Sequence, residues 1–440
     1  MKASKRAWNR APKTPNRPLE RRTPIQRSAI FTSVAALLVS VIGVTGSAGA
    51  AAPAGEEDGE LKFGAVLPET GQLAYLGPPQ IESVRFAIQT INDAGGVLGR
   101  PVPAVVSGDE AGQEAVAAQA AERVLASGVD AIIGAAASGM SLAFIDRVTG
   151  AGVAQCSASN TAPTFTDYDD GGFYFRTAPS DVLQGPVLAD LIRDDGHERI
   201  ALIGRADDYG RGLVESTADA LRERGATVAL SDTYDPRAAN FDQVVQQVED
   251  SGPDAVVVIA FEEGARILQG LIEAGLGPDR IGVYGADGLR SEELPSLVSP
   301  GNPERLAGMK GTAPAAAENE QYVKDLKEFA PDLKELQFAP QAFDCVTTVA
   351  LAAEKAGSDN PETFVKEMVG ITKGGEKCNS FAACKKLIAA GRDIDYEGVS
   401  GPLEFSDAGE PNRATIEVYA YDDKGVLRTP VRTEVSTGQE

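Results

Sequence analysis

From Leu61 to Tyr284 the chain alternates short β-branched runs with longer stretches of helical periodicity, and this alternation constrains the fold more than any other feature. The short runs read as strands buried on both faces, and the 3.6-residue pattern between them reads as helices laid on a sheet. Strands are expected at 61–67, 102–106, 131–134, 152–156, 200–204, 228–231, 255–260 and 281–284. Helices are expected between them at 80–94, 114–126, 141–150, 182–194, 212–224, 241–249 and 264–274. A parallel strand reaches its neighbour only through a crossover of about a dozen residues or more, so this spacing specifies βαβ units. Gly95, Gly128, Gly225, Gly252 and Gly275 stand where helices must stop in a left-handed residue.

The segments Ser127–Gly139 (SGVDAIIGAAASG) and Ser251–Gly264 (SGPDAVVVIAFEEG) share a strand entry. With four strand–helix units on either side of residue 177, this echo points to two similar α/β lobes. After Pro314 the pattern changes to helices at 321–329 and 341–356, a cysteine-bounded loop, and antiparallel strands at 401–405 and 414–421.

Charge is segregated along the chain. Nine Lys or Arg against one Glu leave +8 in residues 1–50, and the total of −23 then leaves −31 beyond them. So acidic a body repels phosphates and anionic lipid heads, which argues against nucleic acid and membrane surfaces as partners. The basic stretch precedes sixteen uncharged, mostly apolar residues, Ala29–Val44. These fall short of the ~20 that a spanning helix needs, and small residues follow at 46–52. This is the layout of an export signal, leaving the protein soluble after cleavage or held by its signal, in the periplasm or on the outer face of the cell membrane. Cys378 and Cys384 enclose five residues and are the favoured disulfide, while the state of Cys156 and Cys345 stays open. A zinc site lacks ligands, since His197 is the one histidine.

No G-x-S-x-G elbow, phosphate loop, H-E-x-x-H or G-x-G-x-x-G motif is present, so no catalytic residue and no cofactor is assigned. A triad would need His197, which sits in a polar helix-to-strand connection. What remains is a set of loops at strand carboxyl ends, where open parallel sheets bind ligands. Hydroxyls and N–H groups after residues 134 and 156 suit a carboxylate, Asp287 suits an ammonium, and Phe261 offers a wall. Two lobes presenting these groups across a cleft would hold a zwitterion.

The segments Gly64–Gly71 (GAVLPETG), Ile91–Gly99 (INDAGGVLG), Ser159–Pro163 (SNTAP), Asp208–Gly212 (DYGRG) and Ser400–Phe405 (SGPLEF) carry a resemblance. They resemble the type I periplasmic solute-binding proteins, in the Leu/Ile/Val-binding branch that serves ABC importers. The resemblance implies an α/β fold of two Rossmann-like lobes with parallel sheets, joined by a three-crossover hinge near Thr177, Thr312 and Ser400. It divides the chain into an export signal at 1–50, a flexible linker at 51–60, a first lobe at 61–177 plus 313–400, and a second at 178–312 plus 401–440. It implies ligand-carboxylate contacts at Ser138, Ser159 and Thr161, an ammonium partner at Asp287, and cleft aromatics at Phe261 and Tyr209. Leu76 stands where the family often has an aromatic, with Tyr75 beside it. The implied protein is a monomer that is not an enzyme. It captures an amino acid, branched-chain or otherwise aliphatic, for the transmembrane subunits of an ABC permease. A sensor for an amide or small organic acid, feeding a signalling partner, is the alternative.

Overall fold

The computed structural model describes residue 55, residues 57–315 and residues 319–437. The expected export signal, and the linker up to residue 54 with residue 56, lie outside the described residues. The end of that linker is tied down: the backbone N–H groups of Asp58, Gly59 and Glu60 donate to Asp359 Oδ2 at 3.1, 2.6 and 2.8 Å.

The first lobe holds a five-stranded parallel sheet in the order β2-β1-β3-β4-β5. Its strands are β1 (Phe63–Leu67), β2 (Val106–Asp109), β3 (Ala131–Gly134), β4 (Ala154–Ser157) and β5 (Tyr174–Arg176). The second lobe begins with β6 (Arg199–Arg205), β7 (Thr227–Tyr234), β8 (Ala255–Ile259), β9 (Gly282–Gly285) and β10 (Lys310–Pro314). A small sheet joins β11 (Glu376–Cys378), β12 (Ile394–Gly398) and β13 (Gly401–Pro402). Then β14 (Arg413–Tyr421) and β15 (Leu427–Ser436) complete the second sheet in the order β15-β14-β10-β9-β8-β6-β7. β14 is antiparallel to both its neighbours. Helices cover both faces of each sheet, so central strands such as β3 and β8 are buried throughout.

Several elements depart from expectation. The second strand starts at Val106 rather than Val102, because Asn92 takes the Val102 backbone: Val102 N donates to Asn92 Oδ1 (2.7 Å) and Asn92 Nδ2 to Val102 O (2.9 Å). The helix expected at 141–150 is two short ones, Ser138–Leu142 and Ile145–Thr149. Ala313 and Pro314, expected in the first lobe, pair with Glu417 and Ile416 in the second sheet. Conversely Gly401 and Pro402 pair with β12, and Leu403 and Phe405 pack in the first-lobe core. The five helix-ending glycines all have positive φ, from 58° at Gly252 to 93° at Gly95.

The chain passes between the sheets after β5, after β10 and after β13. The lobes touch directly. Gly212, in the Asp208–Glu223 helix, lies so close to Pro163 of the first lobe that a Cβ there would stand 2.5 Å from Pro163 Cδ.

Two disulfides differ sharply in span. Cys378–Cys384 closes six residues, and Cys156–Cys345 joins β4 to the Ala339–Ala356 helix across 189. Chain-entropy reasoning assigns roughly 5 kcal/mol to the long loop and roughly 2 kcal/mol to the short one. The Cys156→Ala/Cys345→Ala variant should therefore lose about 3 kcal/mol more than Cys378→Ala/Cys384→Ala in parallel denaturant unfolding. Equal losses would show that loop length does not govern their effect.

Candidate ligand site between the lobes

The first-lobe half of the site is two loops bound to each other. After β3, the backbone N–H groups expected to be free are occupied: Ala135 N donates to Ser141 Oγ (2.7 Å), and Ala136 N and Ala137 N donate to the Glu110 carboxyl (2.8 and 3.3 Å). Glu110 is fully buried, and that burial pushes its carboxyl up to about 8. After β4, Ser157 Oγ donates to Ala135 O, and Asn160 Nδ2 reaches both Ala135 O and Ala136 O. These bonds fold the two strand-end loops into one edge and set the expected hydroxyls on it. Ser138 Oγ accepts from Ala162 N (3.4 Å), and Ser159 Oγ lies within bonding distance of Ala136 O (3.1 Å) and Gln80 Oε1 (3.3 Å).

Thr161 links the lobes. Its hydroxyl donates to Asp181 Oδ2 (3.0 Å), while Asp181 N donates to Thr161 O (2.8 Å). Asp181 opens the Asp181–Asp194 helix, and Gln184, one turn on along the same face, donates to Asp287 Oδ1 (3.0 Å). Asp287 sits just past β9 and also accepts from Tyr209 OH (2.8 Å). Tyr209 stacks on Phe261 with ring centroids 5.3 Å apart, and the Arg205 guanidinium lies over the Phe261 ring at 3.6 Å. From the first lobe, Tyr75 OH donates to Gly288 O (2.8 Å). Leu76 is buried in the same apolar cluster as Ala137, Tyr209, Phe261 and Phe338. The expected residues from both lobes thus meet in one buried band, Tyr75 supplying the polar contact and Leu76 the apolar one.

The band is acidic and short of donors. Asp287 is buried and hydrogen-bonded only by neutral groups, and burial raises its carboxyl to about 6. Asp181 is raised further, first by burial and then by the charge of Asp287. Asp181 Oδ1, Gln184 Oε1 and Gln337 Oε1 are buried without a hydrogen-bond partner. Both amides are oriented by the acceptors on their nitrogens: Gln184 Nε2 donates to Asp287 Oδ1 and Thr312 O, Gln337 Nε2 to Asp287 O. Among the described residues no set of three or more His, Cys, Asp or Glu side chains could hold a metal ion.

Sequence reasoning missed Asp181, Gln184 and Gln337. An acid opening a helix after Ser180 reads as ordinary N-terminal charge, and Gln184 falls within an amphipathic pattern. Only the approach of Thr161 and Asp287 makes them part of the site.

Residues 60–425 match the family model described as periplasmic binding protein. A Leu/Ile/Val-binding protein homolog 1 of Brucella suis biovar 1 (strain 1330) is 27% identical over 405 residues, covering 90% of this chain and 96% of that protein. The leucine-, isoleucine-, valine-, threonine- and alanine-binding protein of Pseudomonas aeruginosa is 26% identical over 380 residues, covering 84% and 92%. A solved branched-chain amino acid transporter substrate binding protein, LivJ from Streptococcus pneumoniae in complex with isoleucine, aligns with a TM-score of 0.69 at 21% identity, covering 86% of this chain and 99% of that one. The family model spans well over half of the chain, the likeness to solved structures extends to the two-lobed α/β fold, and the chain belongs to the periplasmic binding protein family.

Proposed function

We propose that this protein captures an amino acid between its lobes, outside the cytoplasm, and hands it unchanged to an ABC permease. The observation that carries the reading is Asp287: a buried carboxyl, flanked by a second at Asp181, with neutral hydrogen-bond donors only. A buried charge is costly unless paired, and an ammonium is the partner that this arrangement suits. Ser138, Ser159 and Thr161, on the facing edge, would receive the ligand carboxylate. Leu76, Ala137, Phe261 and Tyr209 form an apolar wall that suits an aliphatic side chain, in line with what the relatives bind. Tyr75 and Thr161 already bridge the lobes, which fits closure by hinge bending over the ligand. Both halves of the site come from one chain, which fits action as a monomer.

Calorimetry with L-leucine, L-isoleucine and L-alanine should show binding of at least one. Asp287→Ala should weaken that binding at least tenfold, since a charged partner is lost, worth about 1.5–3 kcal/mol. Absence of binding by every amino acid tried would overturn the reading.

The site's pH dependence has two opposite signs. Without ligand, the raised carboxyl of Asp287 contributes stability that is complete below about pH 4 and is lost as pH rises through about 6, because the folded state then carries an unpaired buried charge. Ligand binding runs the other way. The ammonium pairs only with the ionised form, so affinity should rise roughly tenfold between pH 5 and pH 7. Asp287→Asn should flatten both profiles, and an unchanged affinity profile in that variant would remove Asp287 from the role.

A further inference from the structure

Glu110, just past β2, is fully buried, is hydrogen-bonded by neutral N–H groups, and is pushed up further by the adjacent charge of Asp109. A buried carboxyl without a cation is costly, and apolar packing would serve stability better. The turn that follows aims it at the loop after β3. Ala111 is left-handed, with φ 52°, a conformation that a residue with a Cβ keeps only where its surroundings impose it. Asp109 Oδ1 accepts from Ala111 N (2.8 Å), and Gly71 packs so closely that a Cβ there would lie 2.4 Å from Ala111 O.

The bonds that Glu110 accepts fix more than two N–H groups. Ala136 N shares a planar peptide with Ala135 O, and Ala137 N shares the next with Ala136 O. Both peptides are trans, so each carbonyl points away from the carboxyl that holds its N–H. Those carbonyls seat the second ligand loop. Ala135 O accepts from Ser157 Oγ (2.7 Å) and Asn160 Nδ2 (3.1 Å). Ala136 O accepts from Asn160 Nδ2 (2.9 Å) and lies 3.1 Å from Ser159 Oγ.

We propose that Glu110 is a positioning residue for the ligand carboxylate: by holding two peptide planes from one side, it sets Ser138, Ser159 and Thr161 on the other. Ser138 follows the second plane directly, and Thr161 follows Asn160, which both carbonyls hold. This role rests on the amino-acid reading of the site. Glu110 touches no ligand itself. Without it the two planes can turn about their flanking dihedrals, and the hydroxyls lose their common register.

Calorimetry separates this role from a structural one, because unfolded molecules lower the stoichiometry while misplaced hydroxyls raise Kd. At pH 7 the Glu110 carboxyl, pushed up by burial to about 8, is mostly protonated. Glu110→Gln therefore removes an acceptor with little change of charge, and turns an amide N–H toward a backbone N–H. For whichever of L-leucine, L-isoleucine and L-alanine binds most tightly, it should raise Kd about tenfold. Asp130→Asn is the matched control. Asp130 is also buried, its carboxyl pushed up by burial to about 7, but it accepts from Lys62 N (2.8 Å) at the amino end of β3. That variant should lower the melting temperature and leave Kd unchanged. Where Glu110→Gln does not fold, Glu110→Asp, one methylene short of reaching both N–H groups, takes its place with a smaller rise expected. An unchanged Kd in the variant that folds, or an equal rise in Asp130→Asn, overturns the role, as does failure of both Glu110 variants to fold. No binding of any of the three amino acids by the unmodified protein overturns the amino-acid reading and this role with it, a result distinct from normal binding in Glu110→Gln.

Discussion

One buried guanidinium ties the candidate site to the hinge. Arg176, at the end of β5, donates to the backbone carbonyls of Asn160 (3.2 Å) and Ala162 (2.8 Å), to Thr166 Oγ1 (3.1 Å), and through Nε to Glu410 (2.8 Å). It thereby holds the loop that presents Ser159 and Thr161, stands at the start of the first passage between lobes, and grips the third through Glu410. Both side chains of the ion pair are almost wholly buried. Such a pair adds little net stability over apolar packing, but removing either partner leaves a bare charge inside the protein. Its contribution is geometric: the loop at 160–162 and two of the passages between the lobes cannot move independently.

The same logic of buried charge shapes the facing lobe with opposite effect. Arg205 is paired with Glu263 and Asp207 and lies against Phe261, so the cation behind the aromatic wall is already neutralised. Asp181 and Asp287 have no such partner. They share with Glu110 a set of neutral hydrogen-bond partners only, whereas Glu263 and Glu410 are answered by arginines. The stretch SASNTAPTF joins these halves. Its hydroxyls are held by the neighbouring loop on one side, and Thr161 reaches Asp181 on the other. It bridges the lobes, with its hydroxyls directed to the backbone carbonyls of Ala135 and Ala136 and to the Asp181 carboxyl.

Much of this was legible in the sequence, for identifiable reasons. β3 and β8 were found because a strand buried on both faces is a continuous apolar run bounded by helical periodicity. Ser138, Ser159, Thr161 and Asp287 could be singled out because they follow strand carboxyl ends, where open parallel sheets bind ligands. β5, the three residues Tyr174–Arg176, is too short to show a period. β15, with Arg428, Pro430, Arg432 and Glu434 on an exposed edge, has the composition of a loop. Val102 was misplaced because a side chain of a preceding helix competes for its backbone. The N–H groups after β3 looked available because nothing local marks Glu110 as the group that takes them.

The sequence by itself determined the alternation of strands and helices, the division into two α/β lobes and the segregation of charge, because each rests on periodicity or composition within a few tens of residues. Tertiary structure decided which groups answer which. Glu110 folds under the loop at Ala136, Asp181 meets Thr161, Gln184 orients Asp287, and Cys156 bonds to Cys345 across 189 residues. These outcomes depend on burial and on contacts between distant segments. The cost of a buried carboxyl, and the identity of the donors that answer it, exist only once the lobes have come together.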